Sequence, residues 1–169
     1  VLSRIESTYG VDAEIVAAIW GLESAYGAVR GDLPTLHALA TLAYDGRRGA
    51  FFEAELIAAL KIIQLGDATA QTLRGSWAGA MGHTQFIPTS YMIYGVDMDG
   101  DGRRDIWNSV PDSLASSANL LKKNGWVAGR TWGYEVALPG GGGKLPSGAI
   151  SLDKWAALGV TRANGKPFK

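Results

Sequence analysis

No cysteine occurs in this sequence, which excludes a disulfide framework, a thiolate metal centre and lipidation of a thiol within these residues. Histidine is scarce too. His37 and His83 are too few and too far apart for an imidazole metal site, and His37 is expected to pack on its own helix. Neither sign of charge prevails: 16 Lys and Arg stand against 16 Asp and Glu. The basic face of a nucleic-acid binder is therefore not evident, and no nucleic-acid partner is expected. No run of eighteen apolar residues is present, which excludes a membrane-spanning helix within the sequence. There is no Gly-x-Ser-x-Gly element for a serine hydrolase, and the glycine-rich stretch around 75–82 lacks the Gly-Lys-Ser/Thr ending of a phosphate loop. Export signals and internal repeats are missing as well. Val1 to Ile5 read as a helix already under way, so the chain reads as a mature or trimmed piece with any signal or anchor outside it.

What is present is a globular composition. Of 169 residues, 47% are hydrophobic and 19% charged, enough for one packed domain with a small appendage. Apolar periodicity, capping residues and glycine stops predict helices over 1–9 (stopped at Gly10), 13–26 (Asp12 cap, Gly27 stop), 35–45 (Gly46 stop) and 51–65. In the last of these, Phe52, Leu56, Ala59, Leu60 and Ile63 are expected on the core face. A short helix is expected over 67–73, another from Pro88 to Tyr94, and a longer one from the Ser109-Val110-Pro111-Asp112 start to about Asn124. Beyond Trp126 the pattern changes: a strand over 134–138, a flexible loop over 140–143, a capped helix over 151–158 and a hairpin-type turn at Asn164-Gly165. The fold class is mainly α (α+β): an α-helical core over 1–127 and a small β-containing appendage over 128–169.

Glu23 is the candidate for chemistry. Ile19 lies four residues before it, Trp20 three and Val16 seven, a spacing that puts its carboxyl on the apolar face of the 13–26 helix. Burial there would favour the protonated form and suit a general acid. The alternative is an ordinary glutamate at a helix end, facing solvent. No second acid shares a comparable apolar setting.

Two loops offer further groups. Across 97–112, Asp97, Asp99 and Asp101 take positions 1, 3 and 5 of an EF-hand-like loop, Gly102 position 6 and Ile106 position 10. Arg103, at position 7, would offer its carbonyl. Asn108 stands at position 12 where a bidentate glutamate is expected, and Asp112, four residues on, is the acid that can reach back. The alternatives are a solvated Asp/Gly turn for the loop and a helix-capping role for Asp112. The 76–88 loop mixes hydroxyl, amide and aromatic groups: Ser76 and Gln85 can bond sugar hydroxyls or acetamido groups, and Trp77 and Phe86 can stack on ring faces. A surface loop pinned by its aromatics is the competing reading. Arg47-Arg48 is either a helix-flanking pair or a clamp for an anionic group.

Taken together, Trp20 to Gly27, Ala38 to Tyr44, Arg47-Arg48, Gly79 to Tyr91, the Asp97–Asp105 loop and Asn119 to Trp126 resemble the family-B lytic murein transglycosylases, glycoside hydrolase family 103, over about residues 5–165. The resemblance implies a lysozyme-like helical core. It also implies cleavage of the β-1,4 bond between N-acetylmuramic acid and N-acetylglucosamine in peptidoglycan, leaving 1,6-anhydromuramoyl ends. On it, Glu23 is the acid and then the base. Ser76, Gln85 and Phe86 contact sugar, and Arg47 and Arg48 lie near the lactyl or peptide part. Asp97, Asp99, Asp101, Arg103 and Asp112 form a structural site for Ca2+ or Na+, with no cofactor in catalysis. Leu120 stands where the family commonly has an aromatic. The expected partners are glycan strands and cell-wall synthesis or remodelling proteins, the expected state a monomer and the expected compartment the periplasm. A hydrolytic muramidase and a non-catalytic peptidoglycan-binding module are the alternatives.

Overall fold

The computed structural model describes residues 1–141 and 145–168, so the expected loop at 140–143 lies partly outside the described residues. The chain divides into two compact units, Val1–Ala128 and Gly129–Lys169. The first is mainly helical: α1 (Leu2–Tyr9), α2 (Ala13–Ser24), α3 (Thr35–Asp45), α4 (Gly49–Gln64), α5 (Pro88–Tyr94) and α6 (Val110–Lys123). A two-residue antiparallel ladder joins β1 (Leu33–Pro34) to β2 (Arg74–Gly75), with Leu33 opposite Gly75.

Helix α6 is the centre of this unit. Eight consecutive residues, Asp112 to Asn119, are buried, and α1, α2 and α5 all pack on it. Alanine and serine make up most of that run, so neighbouring backbones approach closely. Its polar groups find partners: Ser116 Oγ accepts from Val96 N, Asn119 Nδ2 donates to the Tyr94 carbonyl, and the Thr84 and Ser113 hydroxyls pair. One apolar cluster joins α1, α2 and α6 through Ile5, Val11, Val16 and Leu114. A second joins α3, α4, α5 and the segments 76–87 and 95–109 through Leu39, Phe52, Ile62, Met81, Tyr91 and Trp107, with Leu120 half-buried against it.

Three local expectations change. Helix α4 buries Phe52, Glu55, Ala58, Ala59 and Ile62, which leaves Leu60 half-exposed at 51%. Its inward face is turned toward Glu55, whose carboxyl accepts from both the backbone N–H and the hydroxyl of Thr89 at the start of α5 (2.9 and 2.7 Å). Residues 67–73 form turns instead of a helix, because the Thr69 and Thr72 side chains bond the local backbone N–H groups. And α2 stops at Ser24, before Gly27, with Ala25 in the left-handed region.

The second unit carries β3 (Val136–Ala137), α7 (Leu152–Ala157) and β4 (Thr161–Arg162). β3 and β4 pair antiparallel, Val136 opposite Arg162, and the Ser151 hydroxyl caps α7 by accepting from Lys154 N. The strand over 134–138 thus shrinks to two residues, and Asn164-Gly165 forms a turn after β4.

Glu55 ties α4 to α5, so Glu55→Ala should lower stability by about 2 kcal/mol, since two part-buried donors of Thr89 lose their acceptor. Glu55→Gln, which keeps one acceptor oxygen, should lose clearly less. Denaturant midpoints of the three proteins check this.

Candidate active site

The backbone after α2 gathers the predicted sugar-contacting residues. Segment 25–31 turns away from the helix and leads into β1, which lies beside β2 and hence beside Ser76. Gly31 is packed so closely there that a Cβ would lie 2.6 Å from Ser76 N, a spacing only glycine tolerates. Gln85 reaches the same turn from the other side, its Nε2 donating to the carbonyls of Arg30 and Gly82 (both 3.0 Å). Ser24, next to Glu23, is buried, and its hydroxyl donates to the His83 carbonyl (2.6 Å) while accepting from Gly27 N (2.9 Å). The end of the Glu23 helix and the 76–86 loop are thus one hydrogen-bonded assembly.

Glu23 itself is exposed, which corrects the apolar enclosure expected from its spacing. One face of the last turn of α2 is open: Leu22 and Glu23 are exposed, while Gly21 is half-buried and Ser24 buried. Leu22 and Tyr26, on either side of Glu23 in sequence, and Trp77, next to Ser76 in the loop, are exposed apolar groups (87, 63 and 69% exposed).

The other predicted contacts divide. Ser76 Oγ accepts from the backbone N–H groups of Ala78 and Ala80, which closes the 76–80 turn without using the hydroxyl proton. Phe86 is a correction: at 6% exposure it belongs to the core, bridged through its backbone to Met81, and its ring face is not open to a sugar. Arg47 and Arg48 are exposed in the turn between α3 and α4, with the Arg48 guanidinium 4.1 Å from the Phe51 ring centre. His37 lies exposed on α3.

In the acidic loop, oxygens of Asp97, Asp99 and Asp112 lie within 4.8 Å of one another. Asp112 is fully buried and accepts from the N–H groups of Met98, Asp99 and Asp105. Burial pushes its carboxyl above the usual carboxylate range, and the three donors pull it back. Asp101 is not in this group; its carboxyl accepts from Arg103 N (2.8 Å), and Arg103 is exposed. Asn108 turns to the Asp105 carboxyl, which also accepts from Trp107 N and Asn108 N. Three converging carboxyl groups with one buried fit a hard divalent cation.

Two residues were passed over in the sequence. Glu55 is a buried acid, invisible there because its partner Thr89 is 34 positions away. His83 lies at the meeting point of α2 and the loop, accepting at Nδ1 from the Trp20 indole N–H (3.1 Å). Burial lowers its pKa, with the nearby Arg30 guanidinium adding to the fall and Asp105 opposing it. A cleft of about 930 Å³ lies within the second unit, lined by Arg130, Tyr134, Arg162 and Lys166, and contains none of the predicted site residues.

Comparison with known proteins adds the following. Residues 1–169 match the family profile described as the Transglycosylase SLT domain. Over 164 residues the chain is 40% identical to the membrane-bound lytic murein transglycosylase B of Escherichia coli (strain K12), covering 95% of this chain and 45% of that protein. Among solved structures, Pseudomonas aeruginosa SltB3 in complex with NAG-anhNAM-pentapeptide superposes with a TM-score of 0.85 at 50% identity, covering 99% of this chain and 46% of that one. The Escherichia coli lytic transglycosylase Slt35 in complex with calcium superposes with a TM-score of 0.84 at 38% identity, covering 96% and 52%. The chain thus spans about half the length of the relatives it matches.

The Ser24 hydroxyl serves the buried His83 carbonyl and the half-buried Gly27 N–H, so Ser24→Ala should cost about 2 kcal/mol. Thermal unfolding measures it, and Ser7→Ala, on the exposed face of α1, is the control that should leave the midpoint in place.

Proposed function

The chain belongs to the transglycosylase SLT family, and from that membership we propose that it cleaves the β-1,4 bond between N-acetylmuramic acid and N-acetylglucosamine in peptidoglycan, leaving 1,6-anhydromuramoyl ends. The observation that carries this reading is the Glu23 helix end, hydrogen-bonded into one assembly with the loop of Ser76 and Gln85, the two segments carrying the exposed rings of Tyr26 and Trp77. A glycan strand lying over Tyr26 and Trp77 would complete the apolar enclosure that the exposed Glu23 lacks. Ser76 has its hydroxyl proton to donate to an acetamido carbonyl. Gln85, its amide nitrogen held by two carbonyls, offers Oε1 to a sugar hydroxyl.

In the proposed reaction Glu23 donates a proton to the glycosidic oxygen as the C1–O bond breaks. The carboxylate then takes the proton of the muramoyl 6-hydroxyl, whose oxygen forms the new bond to C1. The substrate's acetamido group stabilises the intervening positive charge. Atoms balance without water. Glycosidases that use water or a protein nucleophile pair two carboxyl groups across the bond. Here the other acids nearest the assembly are engaged: Glu55 with Thr89, Asp105 with Trp107 and Asn108, Asp32 with Arg74. A lone acid favours the intramolecular route over the muramidase alternative. Arg47 and Arg48, at the far end of α3, stand roughly 15 Å along that helix from β1, a reach that suits the lactyl or peptide part of the same strand.

Asp97, Asp99 and Asp112 would hold Ca2+, as suggested by the calcium complex of Slt35. Bound there, the ion would offset the mutual repulsion of the three carboxyl groups and fix the loop to the start of α6; it would take no part in the reaction. No described helix is long and apolar enough to cross a membrane. The relative's membrane-bound name and the substrate favour action in the bacterial envelope.

Two predictions follow from this reading. Glu23→Gln should reduce the release of anhydro-ended muropeptides by about 100-fold or more, the usual worth of a general acid; mass spectrometry of digested peptidoglycan reads it, and reducing ends in the wild-type digest would overturn the transglycosylase assignment. Calcium at about 100 times its Kd should stabilise the wild-type protein by about 2.7 kcal/mol. A chelator should remove that gain, and Asp112→Asn should show little of it; melting temperatures with and without calcium check both.

A further inference from the structure

The backbone immediately after Glu23 adopts a conformation that side chains usually avoid. Ala25 (φ 48°) and Tyr26 (φ 58°) lie in the left-handed region and are followed by Gly27 (φ 87°). Only one other non-glycine residue among the described residues has a positive φ, and it is Gln85 (φ 52°), whose side chain bonds Arg30 in the same turn. Such residues persist only where their surroundings over-determine them. The surroundings here converge on His83.

Three contacts bind His83 to the last turn of α2. Its carbonyl accepts from the Ser24 hydroxyl, one residue after Glu23. Its Nδ1 accepts from the Trp20 indole, three residues before Glu23. Its ring fills the space where a Cβ on Gly27 would lie 2.4 Å from Nδ1. An indole N–H can only donate, so Nδ1 must be the accepting nitrogen and the neutral ring carries its proton on Nε2. The Trp20 ring meets His83 edge-on at 5.8 Å and Tyr26 edge-on at 5.5 Å, so the left-handed Tyr26 and the imidazole share one aromatic partner. On the far side, His83 N donates to the Ile106 carbonyl, and Arg30, whose Nη1 lies 3.4 Å from Nε2, donates to the Trp107 carbonyl. The His83 backbone is therefore fixed to the buried Ile106–Trp107 segment, and its imidazole to the helix end.

We propose that His83 is a positioning residue for Glu23: through Trp20 and Ser24 it clamps the last turn of α2 to the 76–86 loop and so sets where the Glu23 carboxyl stands relative to Ser76 and Gln85. The proposal rests on the reading of Glu23 as the acid. The Ser24 bond goes to the His83 backbone and survives any substitution there. The Trp20 bond and the filling of the Gly27 space depend on the imidazole, so side-chain substitution isolates them. A displaced acid loses rate more than binding, because sugar contacts lie on the loop while proton transfer depends on a fixed distance.

The test is steady-state kinetics on soluble uncrosslinked glycan strands, together with the 15N-resolved indole N–H resonance of Trp20 and the melting temperature. His83→Leu should lower kcat about tenfold with KM unchanged within about twofold, the pattern of a misplaced catalytic group. The Trp20 indole signal should move upfield as its hydrogen bond is lost. His83→Asn, which can place an accepting oxygen where Nδ1 stood, should recover most of kcat and the indole shift together. If His83→Leu fails to fold, Trp20→Phe removes the same bond from the donor's side and should show the same loss of kcat. Wild-type kcat in a folded His83→Leu or Trp20→Phe protein overturns the proposal, as does equal impairment of the Leu and Asn variants. A wild-type protein that releases no anhydro ends overturns the acid reading, and this proposal with it; an active wild type beside an indifferent His83→Leu overturns this proposal alone.

Discussion

The burial of helix α6 is the constraint from which the first unit is built. A helix enclosed on all sides ordinarily reads as a long apolar run, yet this one is rich in serine and alanine. Small side chains let α1, α2 and α5 approach its backbone, and each hydroxyl or amide that enters the interior finds a specific acceptor or donor. Its first turn is equally committed. Asp112 is inside the protein and organises the acidic loop by accepting three backbone N–H groups, two of them from residues of that loop's first half. The candidate cation site is therefore an extension of the central helix, which gives it a structural role independent of chemistry.

From that centre the candidate site is reached in two steps. α2 packs on α6, with Val16 buried, and its last turn leaves Leu22 and Glu23 open while Ser24 is buried. That turn is held by Ser24 and Trp20 against His83, while the loop that carries His83 is itself pinned through Met81 and Phe86 in the second apolar cluster. An acid on the open face of a fastened turn is accessible to a long polymeric substrate and still fixed in direction. That arrangement explains why Glu23 is exposed and why the residues that fasten it are not.

Much of this was legible in the sequence because it depends on local rules. The stops at Gly10 and Gly46, the Pro88 start and the Ser109 cap report backbone preferences of single residues, and the helices lie there. The spacing of aspartates marked the acidic loop, and membership of the transglycosylase family follows from linked motifs along the chain. What escaped depends on partners distant in sequence. Nothing local marks Glu55 as buried; its donors come from Thr89. Nor do the serines and asparagine of α6 announce that its neighbours enclose it. Phe86 looked like a stacking ring because nothing local announces that its backbone pairs with Met81 and carries it into the core. Glu23 showed the same limit from the other side: its helical face was read correctly at Val16, but which residues of the last turn of α2 the core covers is a tertiary fact. Asp101 followed the loop pattern in sequence, yet its carboxyl turns to Arg103 N.

The central claim is that a single carboxyl, on the fastened end of α2, meets the scissile bond between Ser76 and Gln85. The most direct measurement is a crystal structure of the Glu23→Gln protein with a bound glycan tetrasaccharide. The account predicts the glycosidic oxygen within hydrogen-bonding distance of the residue 23 side chain, an acetamido group at Ser76, a sugar hydroxyl at Gln85, and no other carboxyl within reach of the anomeric carbon. A glycan seated away from residue 23, or a second carboxyl group beside the anomeric carbon, would contradict it.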